Sequence, residues 1–174
     1  DDVDLMLTDW EAERDSVVEL WQKMMKWVYD GHGETYKTLG IEFDKEYYES
    51  ELYKFGKDIV EKGLEGGIFV KDDGAVVAKL EDHGLPDKVL LKSDGTSLYM
   101  SQDLYLAVKK FDDFKIDKSV YVVASEQDLH FRQLFKILEL LGESFAKDCY
   151  HLSYGMVNLP SGRMKSREGN VVDA

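Results

Sequence analysis

The sequence predicts an α/β fold, in which a parallel sheet packs against helices and a small antiparallel β patch is inserted. Residues 120–124 form a continuous apolar run, as expected of a central strand buried on both faces of a parallel sheet. Apolar residues then recur at helical spacing over residues 131–141, so strand, turn and helix follow one another as in an α/β unit. The length of 174 residues is typical of one domain, and we expect a single one.

The first third of the chain is predicted to be helical. Thr8 and Glu11 have the spacing of a capping box, which predicts that a long amphipathic helix starts there. We expect Gly31, Gly33 and Gly40 to interrupt that helix, because glycine weakens helix interiors, and residues 34–39 could form a further helical turn. A second helix is expected to end at Gly66. Its apolar face comprises Leu52, Phe55, Ile59, Val60 and Leu64.

Two Asp-Gly pairs, Asp73-Gly74 and Asp94-Gly95, mark turns in the middle of the chain. The β-like runs that flank these turns are residues 68–70, 75–80, 88–92 and 97–100. Because glycine tolerates the positive φ of a tight hairpin turn, both pairs predict antiparallel strands. After the helix at residues 131–141, the next strand is expected at residues 149–152.

The net charge opposes direct binding of nucleic acid by this surface. The chain has 35 acidic and 22 basic residues, a formal net charge of −13, which would repel a phosphate backbone at neutral pH. Cys149 is the single cysteine, which excludes an internal disulfide and favours a reducing compartment. The sequence contains no run of about 20 apolar residues, so we expect a cytoplasmic protein without a membrane partner.

Polar residues cluster where two predicted strands end and the following helices begin, at Met100-Ser101 and Ala124-Ser125. Ligands of open α/β sheets bind at the carboxyl ends of strands, so these two joints are candidate sites. At the first joint, Asp103 could either meet a ligand or simply favour the positive end of its helix. At the second joint, Asp128 is a plausible helix cap, and His130 could face either a ligand or solvent.

A basic loop is the clearest local departure from the acidic character of the chain. Three cations, Arg163, Lys165 and Arg167, lie within five residues. Such a loop suits a polyphosphate, because cations stabilise the charge that grows on a leaving group, although an ordinary basic surface loop is the alternative. No P-loop, dinucleotide, zincin or nucleophile-elbow motif occurs. The remaining histidines, which are isolated and predict no metal site, are His32, His83 and His151.

Five segments of the chain are individually weak signals, but their joint order is specific. They are residues 27–41, Tyr48-Glu49-Ser50-Glu51, residues 93–99, Gln127-Asp128-Leu129-His130 and residues 161–171. In this order the segments resemble the catalytic domain of arginyl-tRNA synthetases, which are class I aminoacyl-tRNA synthetases. The resemblance covers essentially the whole chain.

The resemblance implies that the chain is part of the Rossmann-like nucleotide-binding fold of class I synthetases. Within one partial catalytic domain at residues 1–174, it implies three segments. They are a helical segment at 1–66, the inserted β patch at 67–100, and the second half of the Rossmann-like fold at 101–174, which ends in a KMSKS-like loop.

The basic loop resembles the KMSKS signature, which closes over ATP in class I synthetases. Its residues, expected to serve catalysis, are Arg163, Met164, Lys165, Ser166 and Arg167. Arg163 replaces the first lysine of the signature, and Lys165 replaces the serine at the third position. Ser166 at the fourth position is common in arginyl-tRNA synthetases. Arg163, Lys165 and Arg167 all remain candidates for the contact with pyrophosphate.

The resemblance also implies substrate-binding residues. Tyr99, Asp103 and Gln127 fall on positions that hold arginine, and Glu49 is a further candidate for its guanidinium. A carboxylate accepts two parallel hydrogen bonds from the planar fork of a guanidinium, a geometry that a lysine ammonium cannot reproduce. The residues expected on the ATP side are His130, Met164, Lys165 and Ser166.

A member of this family would activate L-arginine with ATP, release pyrophosphate, and then pass the arginyl group to the 3′ end of tRNA(Arg). Mg²⁺ is expected with ATP. The HIGH signature of class I synthetases is missing from the sequence, so we expect a part of the catalytic domain that is inactive alone. The alternatives are a truncated paralogue that binds arginine or a protein partner without catalysis, and an unrelated nucleotide-binding α/β domain.

Overall fold

The structure is a computed structural model that describes residues 2–160, 162 and 163. The chain divides into two compact units, one up to Glu46 and the other beginning at Tyr47. Two helices form the first unit, α1 (Asp2–Glu11) and α2 (Asp15–Leu39). The candidate site residues all belong to the second unit.

The start and the interior of the first long helix differ from the sequence prediction. Thr8 lies inside α1 instead of capping a helix, and the helix break comes later, where Glu13 has a φ of 55°. The predicted interruption at Gly31 and Gly33 is wrong, because α2 runs continuously through both. Open space surrounds both glycines, so each lowers helix propensity by about 1 kcal/mol without breaking the helix. The helix ends at Gly40, as a left-handed cap requires.

The second unit begins with α3 (Glu49–Glu65), the helix that the apolar spacing predicts up to Gly66. It packs against α4 (Tyr99–Phe114). Gly56 makes this close approach possible, because a Cβ at that position would collide with the backbone carbonyl of Ser101. The position of the start of α4 therefore depends on a residue without a side chain in the middle of α3.

The antiparallel patch consists of β1 (Val70–Asp72), β2 (Ala75–Ala78) and β3 (Lys88–Leu91), in that order. The hairpin predicted at Asp73-Gly74 is confirmed, and both residues have positive φ, as a type I′ turn requires. The strand predicted at residues 97–100 is wrong. Only one bridge forms there, between Leu91 and Ser97, because α4 already begins two residues later.

The parallel part of the fold consists of β4 (Ser119–Ala124), α5 (Asp128–Leu140) and β5 (Cys149–Tyr154). The predicted succession of strand, helix and strand, and with it the α/β fold class, is therefore confirmed. The expected burial of β4 on both faces is wrong within the described residues. Tyr121 and Val123 pack against the core, whereas Val120 and Val122 are 54% and 62% exposed.

The core of the second unit joins the β patch to α3, α4 and α5. Its fully buried members include Val60, Leu80, Leu90, Leu104, Leu134 and Ile137. The side chain of Gln133 is also buried, and its amide donates a hydrogen bond of 2.8 Å to the backbone carbonyl of Pro86. This contact fixes α5 to the loop that precedes β3, so the beginnings of α4 and α5 are held on one scaffold.

The described chain ends in a short hairpin made of β6 (Asn158–Leu159) and β7 (Gly162–Arg163). Arg163 pairs with Asn158 through the backbone. Among residues 2–160, 162 and 163, no helix has the length and hydropathy needed to cross a membrane.

Candidate functional site

The first predicted joint lies at the beginning of α4. Tyr99 is the first residue of this helix and is 72% exposed. Asp103 lies four residues later, so the two side chains share one face of the helix. The first turn of α4 contains no acidic residue, and the charge of a helix end acts mainly within its first turn. Stabilisation of the positive helix end is therefore a weak explanation for Asp103, and contact with a ligand is the alternative that the sequence leaves open.

A hydrogen bond connects this joint to the second one. The imidazole Nε2 of His130, on α5, lies 2.7 Å from Oδ2 of Asp103. The Asp103 side chain keeps 37% of its surface exposed, whereas that of His130 keeps 18%. Within the described residues, Oδ1 of Asp103 has no hydrogen-bond partner. The carboxylate is therefore fixed on one side and open to a ligand on the other.

A network of polar contacts holds the second joint, at the beginning of α5. The Asp128 carboxylate accepts a hydrogen bond of 2.8 Å from the Ser153 hydroxyl. The same carboxylate oxygen lies 3.4 Å from Nδ1 of His151. Nε2 of His151 lies 2.9 Å from the carbonyl oxygen of Val123, and because a carbonyl only accepts, Nε2 is the donor. These contacts join the ends of β4 and β5 to the first turn of α5.

This network differs from the roles expected of its members. The N-cap position of α5 belongs to Gln127, and Asp128 is the first helical residue, so the capping role predicted for Asp128 is wrong. His151 is not isolated, because its ring also packs on Phe131 with centroids 4.4 Å apart. The side chain of His151 keeps only 10% of its surface exposed. The parallel register of β4 and β5 brings these residues together, and a single sequence does not reveal that register.

Two further predicted arginine-binding residues lie in exposed positions. Gln127 ends a short 3₁₀ turn between β4 and α5. Glu49 is the first residue of α3. Within the described part of the chain, neither side chain forms a hydrogen bond or an ion pair. The structure thus brings Asp103 and His130 into direct contact and leaves Glu49 and Gln127 available but unengaged.

The predicted ATP-side loop falls mostly outside the described residues. Arg163 belongs to β7, where only its backbone is described. The remaining loop residues, which lie outside the described residues, are Met164, Lys165, Ser166 and Arg167. Among the described residues, no group of three His, Cys, Asp or Glu side chains is placed to hold a metal ion.

A partly buried lysine lies behind the joints, on the core side of β4. Lys110 donates a hydrogen bond of 3.0 Å to the Ser119 hydroxyl, and its ammonium lies 3.8 Å from the centre of the Tyr121 ring. Burial lowers the pKa of Lys110, and the nearby Cys149 and Asp103 groups act in the opposite direction. Burial also raises the pKa of the Tyr121 phenol. The ammonium of Lys110 is thus held between the hydroxyl at the start of β4 and the core-facing ring of Tyr121.

The sequence matches one family over nearly its whole length. The family is described as tRNA synthetases class I (R), catalytic domain, and the match covers residues 5–174. The chain belongs to this family. The resemblance that the five ordered segments indicate is therefore confirmed.

Bacterial members of the arginyl-tRNA synthetase family are similar to the chain over almost all of its residues. The arginine–tRNA ligase of Amoebophilus asiaticus is 56% identical over 171 residues, which cover 98% of this chain and 29% of the relative. The arginine–tRNA ligase of Flavobacterium psychrophilum is 54% identical over 171 residues, with 97% and 28% covered. The chain thus spans less than a third of the length of these relatives.

Solved structures of the family share the fold. The crystal structure of arginyl-tRNA synthetase from Plasmodium falciparum has a TM-score of 0.76 at 19% identity, covering 87% of this chain and 27% of that one. The arginyl-tRNA synthetase of Thermus thermophilus has a TM-score of 0.60 at 17% identity, covering 91% and 35%. At this level of identity the similarity establishes the fold, so the part of the class I synthetase fold expected from the sequence is present.

Proposed function

We propose that the protein containing this chain activates L-arginine with ATP and ligates it to tRNA(Arg) in translation. The observation that carries the proposal is the Asp103 carboxylate. One of its oxygens is bound by His130, which lies in the first turn of α5 after the carboxyl end of β4, where sheet folds of this kind bind ligands, and its other oxygen is open. Relatives that are more than half identical to the chain are named arginine–tRNA ligases.

The arginine side of the proposed site consists of Tyr99, Asp103, Gln127 and Glu49. Asp103 accepts the guanidinium, whose planar fork of donors matches a carboxylate better than a lysine ammonium does. Tyr99 shares the helix face of Asp103 and is exposed, so its phenol is free to line the same pocket. Gln127 and Glu49 are exposed and unengaged, which suits groups that order only around a substrate.

The ATP side of the proposed site is the KMSKS-like loop together with His130. In the loop we assign Met164, Lys165 and Ser166 to the nucleotide, while Arg163, Lys165 and Arg167 are candidates for the pyrophosphate. Loop cations would stabilise the negative charge that develops on the leaving group. Mg²⁺ would arrive with the ATP phosphates, the usual way in which this ion enters nucleotide sites, and we assign no residue to it.

The proposed first step joins arginine to the nucleotide. A carboxylate oxygen of arginine attacks the α-phosphorus of ATP, the bond to the β-phosphate oxygen breaks, and pyrophosphate leaves with that electron pair. The attacking group is already ionised, so no protein base is needed, and positioning and charge stabilisation supply the catalysis. In the second step the terminal ribose of the tRNA takes the arginyl group and AMP leaves.

We also propose the organisation of the chain within that enzyme. Residues 1–66 form its helical segment, residues 67–100 its inserted β patch, and residues 101–174 the second half of its nucleotide-binding fold. The chain alone would be inactive, because the HIGH signature is not among its residues. We place the enzyme in the cytoplasm, with tRNA reached through the complete protein.

Arginine-dependent exchange of pyrophosphate into ATP, measured on the full-length protein, tests this function. We expect exchange with arginine, with tRNA(Arg) added where needed, and none with lysine or citrulline. Replacing Asp103 by Asn should raise the KM for arginine about 100-fold, because the guanidinium then lacks its carboxylate partner. Asp112→Asn is the matched control, since Asp112 is an exposed residue on the same helix.

Two outcomes would contradict the proposal. Equal exchange with lysine and arginine would exclude an arginine site built on Asp103. Arginine-dependent exchange by the 174-residue chain alone would refute its expected inactivity. Arginine binding without exchange, in a parent protein that has no HIGH signature, would instead support the non-catalytic paralogue.

A further inference from the structure

The contact between Asp103 and His130 links two helices that the chain separates by 27 residues. It joins the first turn of α5 directly to Asp103 in the second turn of α4. The family resemblance expects His130 on the nucleotide side, but in the structure the imidazole meets the carboxylate on the arginine side. A role on the nucleotide side alone therefore does not account for the hydrogen bond between His130 and Asp103.

The geometry of the pair restricts how the carboxylate can meet a ligand. Oδ2 of Asp103 faces Nε2 of His130, and because a carboxylate only accepts, Nε2 carries the proton in this contact. A fixed Oδ2 also fixes the plane of the carboxylate and the direction of Oδ1. A guanidinium requires a carboxylate in one defined plane, so a carboxylate held in advance loses less entropy on binding.

The imidazole is itself held in place from behind. His130 packs edge-on against Phe131, with ring centroids 5.5 Å apart, and Phe131 packs on His151. His151 in turn contacts Val123 and Asp128 at the ends of β4 and α5. The chain of contacts thus runs from the ends of β4 and α5 through three rings, those of His151, Phe131 and His130, to the carboxylate.

We infer that His130 is a positioning residue for arginine recognition: it occupies one lone pair of Asp103 Oδ2 and so orients the carboxylate that Oδ1 and the remaining lone pair of Oδ2 face a forked donor. The inference rests on the proposed function and names a determinant of its substrate selectivity. Without the imidazole donor the carboxylate can rotate about its side-chain bonds. This rotation weakens the binding of a guanidinium, which needs one defined carboxylate plane, more than the binding of an ammonium. Nδ1 of His130 remains available to the nucleotide side.

Two substitutions of His130 in the full-length protein separate the effect of its hydrogen-bond donor from the effect of its ring packing. His130→Phe keeps an aromatic ring against Phe131 but removes the donor, whereas His130→Gln retains an amide that can reach Asp103. We expect His130→Phe to raise the KM for arginine about 10-fold, because it removes the hydrogen bond that orients the carboxylate. His130→Gln should recover most of this loss.

A double-mutant cycle with Asp103→Asn decides whether His130 acts through Asp103. If it does, adding His130→Phe to Asp103→Asn should raise the KM for arginine no further, because contacting residues are not additive. An effect that persists in the Asp103→Asn background, or one on the KM for ATP alone, would overturn the inference. Should His130→Phe fail to fold, as judged by thermal unfolding, His130→Asn provides the same test, since its shorter amide cannot reach Asp103.

The outcomes also separate this inference from the proposed function. If Asp103→Asn weakens arginine binding and His130→Phe does not, the function stands and the positioning role fails. If neither variant changes the response to arginine, the proposed arginine site itself is wrong.

Discussion

The two joints of the candidate site are held in place by different forces. The start of α4 lies where it does because backbone approaches backbone at Gly56, and because Met100 and Leu104 are buried. The start of α5 is tied instead by polar side chains, with Asp128, His151 and Ser153 joined to the ends of two strands. The α5 side is thus fixed by its own contacts, while the α4 side presents exposed groups. In the proposed site we therefore expect Tyr99 and Asp103 on α4 to be the main contacts with the ligand, with Gln127 as the exposed group before α5.

The largest effect on stability is expected where backbone packing holds α4. In Gly56→Ala, the new methyl group would collide with the carbonyl of Ser101, and neither helix backbone can give way cheaply. We expect a loss of about 3 kcal/mol in the free energy of unfolding, measured by urea denaturation. Lys57→Ala, at the exposed neighbouring position, should change it by less than about 0.5 kcal/mol. Equal stability of the two variants would mean that α3 and α4 do not approach this closely.

A smaller loss is expected where side chains hold α5. His151→Ala removes the hydrogen bond to the carbonyl of Val123 and the packing on Phe131. The expected cost is about 2 kcal/mol in the free energy of unfolding. His83→Ala, an exposed histidine of the same unit, is the control and should be nearly neutral. If both variants are neutral, the network does not contribute to stability.

The smallest effect on stability, with a separate effect on binding, is expected for Tyr99→Phe. Tyr99 is largely exposed, so the variant should change the free energy of unfolding by less than about 0.5 kcal/mol. The KM for arginine in the full-length protein should nevertheless rise several-fold, because one uncharged hydrogen bond is worth about 1 kcal/mol. An unchanged KM would mean that Tyr99 does not bind arginine, which would leave Asp103 as the arginine-binding residue proposed on α4.

Local patterns predicted most of the elements, whereas contacts between distant residues escaped prediction. The helix up to Gly66, the hairpin at Asp73-Gly74 and the succession of β4, α5 and β5 follow from spacing and turn chemistry. Thr8 shows the limit of such signals, because a capping motif also occurs inside a helix. The strand expected at residues 97–100 failed because the helix signal of α4 extends further toward the N-terminus than the apolar spacing suggests.

In the candidate site too, local patterns predicted single residues but not the contacts between distant ones. Asp103 and His130 could each be singled out from their positions at the beginnings of helices, but their hydrogen bond depends on how α4 packs on α5. His151 and Ser153 could not be singled out, because they join the site only through the pairing of β5 with β4. A prediction of that register, with alternate residues assigned to the two faces of β5, would have found both.

The outer face of the β4–β5 pair has a practical consequence for work with this chain. On the side away from α5, Val120, Val122 and Leu152 stand in water beside Tyr150 and Tyr154. Parallel strands are ordinarily covered on both sides, so this strip has the chemistry of an interior. Purified by itself, the chain should adhere to other apolar surfaces, and lysines placed at Val122 and Leu152 are the first modification to make before any binding measurement on it.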